Sequence, residues 1–210
     1  MQIGAQVIKN TIMEISEQLD KNLDYLTELD AKIGDGDHGI NMSNGFKKIK
    51  QKLSESEQDD IGQILITTGK VLLNEIGGAM GPLYGGAFVK AGTALKGKDS
   101  LGKEDIAAMF SAFLESVKSL GGAKVGDKTM VDTLQPFVDT LGEQVKTKDL
   151  DEAFDKALAS AKKGMESTKD MVSNIGRSSR LLERSKGHLD VGAVSSYIIL
   201  ETFSKNLKSA

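Results

Sequence analysis

Apolar residues recur at helical spacing along almost the whole chain, and no stretch alternates with period two for long enough to make a confident strand. That regularity leaves helix packed on helix as the available architecture. Ile3, Val7, Ile8, Ile12, Ile15, Leu19, Leu23 and Leu26 predict one long first helix ending near residue 26. The same spacing predicts seven more, at about 40–53, 60–76, 82–95, 103–120, 130–145, 150–170 and 192–207. Pro82 suits a first turn, Thr129 with Asp132 resembles a capping box, and Pro136 should bend the sixth helix by removing a backbone donor. Only Tyr197 to Leu200 reads locally like a strand, and it sits inside a longer helical pattern. The expectation is an all-α, eight-helix antiparallel up-and-down barrel or bundle, a single domain over residues 1–210.

The links between these helices are of two kinds. Those after the first, third, fifth and seventh are glycine-rich or carry functional polar residues: DAKIGDGDHG, GGAMG, GGAKVGDKT and NIGRSSRLLERSKGHLDVG. Those after the second, fourth and sixth, SESEQ, GKDS and KTKD, are solvated turns. In an up-and-down array, loops of one parity share one end, so the four unusual loops should meet at a single rim. Glycines there allow close approach of backbone N–H groups to a ligand, and helix N-termini favour phosphate; plain capping and turn geometry is the competing reading.

Asp30, Asp35 and Asp37 place three carboxylates within eight positions, among glycines that forbid a stable helix. Magnesium takes one or two carboxylates with phosphate oxygens and water, so the trio suits one or two ions clamping a nucleotide. Capping of the next helix by Asp35 or Asp37 is the alternative. Three other motifs fail. Gly34, Gly36 and Gly39 spell a dinucleotide fingerprint, but a helix rather than a strand precedes them. An EF-hand counted from Asp35 puts Phe46 at the glutamate position. Residues 92–99 miss a P-loop because Asp99 replaces the hydroxyl. His38 reads as a phosphate donor, a ligand contact or a loop residue, and beside acidic neighbours it should favour its charged form unless a metal cancels their effect. Arg177, Arg184 and His188 in the last loop suit phosphate or surface ion pairs.

Composition narrows the function classes. A net charge of −3, no tryptophan and 5% aromatic residues give nucleic acid little to hold. No cysteine is present, which excludes thiol chemistry and disulfides. The absence of a signal-peptide pattern and of any apolar run of about 18 residues points away from membranes and to the cytoplasm.

Taken in order and at their separations, GDGDHGINM, GGAMGPLYG, GDKTMVD and GRSSRLLERSKGHLDVGA resemble the L subunits of dihydroxyacetone kinases, over nearly the whole chain. The resemblance implies an eight-helix barrel with ADP or ATP at one rim. It implies two Mg²⁺ held by Asp30, Asp35 and Asp37, with His38, Gly39, Ile40 and Asn41 beside the phosphates. Ala79, Met80, Gly121, Thr129 and Met130 would surround the nucleotide, and Arg177, Asp190, Val191 and Gly192 would close over it. The implied reaction is phosphoryl transfer to dihydroxyacetone bound covalently on a separate K subunit, with an M-type phosphotransferase protein recharging the ADP in place. Relatives that exchange free ATP, act on another ketose or on a fatty-acid-kinase-like substrate, or contact a transcriptional regulator are the alternatives that the resemblance leaves open. The chain departs from the family pattern at Met80 (serine), Lys186 (isoleucine), Val191 (proline) and Arg180-Leu181-Leu182 (tyrosine, leucine, glycine).

Overall fold

The computed structural model describes residues 2–208, about three quarters of them helical. The helices are α1 (Ala5–Lys21), α2 (Leu23–Ile33), α3 (His38–Ser54), α4 (Ile61–Glu75), α5 (Gly86–Ala94), α6 (Lys103–Gly121), α7 (Val131–Gln144), α8 (Leu150–Ser167) and α9 (Val191–Lys208). A π-helical turn, Gly81–Gly85, leads into α5 with Pro82 in its first turn. Each helix packs on the next, and α9 returns against α1 and α2, so the array closes on itself. Counting α1 with α2 as one kinked stave and the π turn with α5 as another gives the eight staves expected.

The single first helix of the sequence reading is corrected in two ways. It breaks at Asn22, whose backbone N–H and side-chain amide both reach the Gln18 carbonyl, at 3.1 and 2.8 Å. A side chain competing for a helical carbonyl in this way disfavours continued helix. The helix then resumes and runs to Ile33, well beyond Leu26, because Leu26, Leu29 and Ile33 continue the buried face. A second difference is a two-residue antiparallel pair, β1 (Ile3–Gly4) with β2 (Ser100–Leu101), too short to leave an alternation signal. Tyr197 to Leu200 is helical, as its surroundings required.

Phenylalanines from six helices fill the middle of the array. Phe110 meets Phe137, Phe154 and Phe203 edge to face, while Phe88 meets Phe46 and Phe113 in the same way. Such contacts add about 0.5–1.5 kcal/mol each beyond burial. Between α4 and α5 the packing is backbone on backbone. Gly62 lies against Gly92 and Gly69 against Gly85, and a Cβ on Gly69 would fall 2.4 Å from the Gly85 carbonyl oxygen. Pro136 sits inside α7, where it deprives the Asp132 carbonyl of its helical donor. Among the described residues no helix is long and apolar enough to cross a membrane.

Candidate functional site

All four unusual loops border one cleft of about 490 Å³. Its wall takes Asp30, Asp35, Asp37 and His38 from the first loop and its flanks. The second loop gives Ala79 and Met80, the third Gly121, Thr129 and Met130, and the fourth Arg177, Asp190, Val191 and Gly192. The shared rim expected from loop parity is therefore present. Gly39, Ile40 and Asn41 are not in that lining. They form the first turn of α3, with Gly39 packed on α2 and Ile40 exposed.

Asp30, Asp35 and Asp37 each offer one oxygen, all within 4.8 Å of one another. They are not on one loop, as the glycines suggested. Asp30 lies on the last turn of α2, whereas Asp35 and Asp37 follow on the connection to α3. The Asp30 carboxylate turns back and accepts from the backbone N–H of Asp37 at 3.0 Å and of His38 at 3.3 Å, so the buried acid serves the start of α3. Asp37, at the N-cap position, makes no side-chain cap bond. Gly34 makes this fold-back possible, since a Cβ there would lie 2.1 Å from Asp30 Oδ1. The Arg177 guanidinium pairs with Asp35, bringing a cation from the fourth loop to the acidic trio. Three hard oxygens facing one space, already drawing a positive charge, fit a divalent cation such as magnesium.

The expected charged form of His38 is overturned. Burial lowers its pKa from 6.5 to about 4, so the ring is neutral at pH 7. Its Nε2 lies 2.9 Å from Ser195 Oγ, in a group that the sequence reading missed. The Tyr84 hydroxyl sits 2.8 Å from Ser195 Oγ and 2.9 Å from Ser196 Oγ, and 3.2 Å from the Gly192 carbonyl. Enclosure raises the Tyr84 phenol to about 12, keeping it protonated as a donor. This floor of hydroxyls joins the start of α3, the π turn and the start of α9 beneath the cleft.

Asp190 borders the cleft half-buried, and the desolvation of its carboxyl there raises its pKa to about 7. It accepts from the Ala193 N–H at 2.7 Å and so caps α9. The expected Thr129–Asp132 capping box forms only in half, because α7 starts one residue later, with Met130 at its N-cap position and no side-chain cap bond there. The Thr129 N–H donates to Asp132 Oδ2 at 2.8 Å, and Thr129 Oγ1 accepts from Val131 N–H at 3.2 Å. Arg184 is exposed and, like the His188 ring, outside the cleft lining. Lys128, also overlooked, is buried at the edge of the cleft. Of the departures from the family pattern, Met80 and Val191 border the cleft, and Leu182 has φ 51° and ψ −130° at a kink between two 3-10 turns over Arg177–Ser185.

Comparison with known proteins bears on the family and the fold. The DAK2 domain matches residues 32–205. The chain is 37% identical over 203 residues to the ADP-binding subunit DhaL of PEP-dependent dihydroxyacetone kinase 2 from Listeria innocua, covering 96% of this chain and 94% of that protein. It is 38% identical over 202 residues to the corresponding Escherichia coli K12 subunit, with 96% of each covered. Among solved structures, the dihydroxyacetone kinase of C. freundii in complex with AMP-PNP and Mg²⁺ superposes with a TM-score of 0.75 at 25% identity, over 95% of this chain and 34% of that one.

Proposed function

The chain belongs to the DAK2 domain family, and from that membership we propose that it is the nucleotide-carrying subunit of a dihydroxyacetone kinase. It holds ADP or ATP in the four-loop cleft and passes the terminal phosphoryl group to dihydroxyacetone presented by a K-type subunit. The observation that carries this reading is the meeting of the acidic trio, two helix N-termini and the fourth-loop arginine in one cleft.

Asp30, Asp35 and Asp37 would hold two Mg²⁺. Such ions, when bound, neutralise phosphate charge and polarise the phosphoryl group in transfer. The chain's own residues do the rest. His38, Gly39, Ile40 and Asn41 lie beside the phosphates, and the amides of Gly39 and Ile40 are offered to phosphate oxygens, those of His38 and Asn41 being taken by the Asp30 carboxylate and the Asp37 carbonyl. Arg177 leaves Asp35 for the phosphates, where its planar fork can bind two oxygens. Ala79, Met80, Gly121, Thr129 and Met130 enclose the nucleotide, and Asp190, Val191 and Gly192 close its other side. The covalent anchor for the sugar would belong to the K-type subunit, as the family resemblance implies. An M-type phosphotransferase protein recharges ADP in place, and the exchange belongs to the cytoplasm.

Mass spectrometry of the dialysed protein tests the nucleotide reading, with co-purified ADP expected. Reconstitution with K- and M-type subunits tests the reaction, with phosphoenolpyruvate-dependent phosphorylation of dihydroxyacetone expected. An empty cleft that turns over free ATP would overturn the recharging step, and turnover of a different ketose alone would overturn the substrate.

A further inference from the structure

The third loop carries a cation that the phosphate chemistry above does not use. Lys128 is 1% exposed, and its φ of +60° lies in the left-handed region that disfavours residues bearing a side chain. Its ammonium donates to the Thr168 carbonyl at 2.6 Å and to the His188 carbonyl at 2.5 Å. Burial lowers its pKa, and Asp190 and Asp170 oppose that shift. A buried ammonium is costly unless its donors are satisfied, and here carbonyls from two ends of one segment satisfy them.

Those two carbonyls bracket the fourth loop at its base. The Asp190 N–H also reaches Thr168 Oγ1 at 3.1 Å, and the Gly187 N–H reaches the Lys169 carbonyl at 2.8 Å, so the strands of the loop are stitched together where Lys128 enters. Beside it, Asp127 accepts from the Asn174 side chain at 3.0 Å. Beyond this knot the loop carries Ile175, Gly176, Arg177 and Ser178 to the cleft wall. A neutral side chain of equal length could fill the space, but only a cation both donates to two carbonyls and answers the nearby acids, and charge-assisted bonds are the stronger kind.

We infer that Lys128 is a positioning residue for nucleotide retention: its ammonium clamps the base of segment 168–190 and thereby holds the loop closed over the cleft. The inference rests on the nucleotide reading for its consequence, though not for the clamp itself. Retention is a matter of slow release, and a loop that opens less often releases its ligand more slowly.

The absence of cysteine makes a chemical test clean, because Lys128→Cys would be the sole thiol. Alkylated in denaturant with 2-bromoethylamine and refolded, the side chain regains an ammonium at lysine's length. Alkylated with iodoacetamide, it ends in a neutral amide of similar bulk. Two readouts follow: amide exchange over residues 172–190 without nucleotide, and release of a fluorescent ADP analogue with Mg²⁺. The ammonium form should match wild type in both. The amide form should lose protection across the segment and release the analogue about tenfold faster or more, as expected for a lost charge-assisted hydrogen bond. Wild-type protection and release in the amide form, or no rescue by the ammonium form, overturns the inference. If the alkylated proteins do not regain helicity, Lys128→Arg and Lys128→Met decide the matter in the same way, arginine being expected to retain protection and methionine to lose it. A wild-type protein that binds no ADP analogue would sink the nucleotide reading, while the exchange comparison would still decide the clamp.

Discussion

At Leu182 the usual stability order of alanine and glycine should reverse. Its φ of 51° and ψ of −130° belong to a region that glycine enters freely and other residues enter at a cost on the order of 1–3 kcal/mol. The side chain does little to offset that cost. It is 69% exposed, so truncation forfeits only a minor part of the roughly 1.5–3 kcal/mol that full burial of a leucine is worth. The family pattern that the sequence resembles has glycine at this position, the residue best suited to such a conformation.

Comparing Leu182→Ala with Leu182→Gly isolates the backbone contribution, because both remove the side chain beyond Cβ. In ordinary conformations glycine is less stable than alanine by about 0.5–1 kcal/mol. At residue 182 relief of strain should outweigh that, leaving glycine ahead by about 1 kcal/mol. The loop can open without global unfolding, so native-state amide exchange is the right assay. The informative amides are Lys186 and Gly187, which donate to the Glu183 and Lys169 carbonyls. Exchange there should be about fivefold slower in the glycine variant than in the alanine variant. Equal exchange, or better protection with alanine, would refute the strain argument.

Asp35→Ala and Asp37→Ala should each abolish magnesium-dependent ADP retention in equilibrium dialysis with the circular-dichroism melt unchanged; retention in both would remove the metal assignment. Asp30→Ala should in addition cost about 1 kcal/mol in denaturant titration, because its carboxylate also receives two N–H groups at the start of α3. Gly69→Ala should destabilise by about 1–3 kcal/mol by calorimetry, since the new methyl meets the Gly85 carbonyl at 2.4 Å. Gly142→Ala, in α7 with nothing within 4 Å, should stabilise by about 0.5–1 kcal/mol, and a shared sign for the two would undo the packing argument. Asp190 binds its proton more tightly folded, at about 7, than at the reference 3.8, so it withdraws stability as pH rises through that window. Asp190→Asn should therefore flatten the nucleotide-free protein's stability between those values, and an unaltered pH profile would show that the carboxyl is not desolvated in the folded protein.

The helical staves were legible because burial of one face repeats along each of them, and the rim was legible because chain order alone fixes which loops share an end. Asp30, Asp35 and Asp37 were legible as a group, being close in sequence. Their division between helix and loop was not, because Gly34 acts by admitting the Asp30 carboxylate rather than by ending the helix early. The break at Asn22 escaped notice because asparagine disrupts a helix only when its amide takes a carbonyl, which composition does not announce.

The misjudged charge of His38 shows where local reading fails. Its neighbours in sequence are acids, but its ring meets Ser195, 157 positions away, and burial sets its protonation. Lys128 went unnoticed for the same reason, since a lysine between an acid and a threonine looks like solvated surface until two distant carbonyls are found around its ammonium. Both residues lie beside motif positions, and neither role follows from the motif. In this fold the groups most apt to contact a ligand are set by short segments, whereas those that hold these segments in register draw their meaning from chain ends that only the closed barrel brings together.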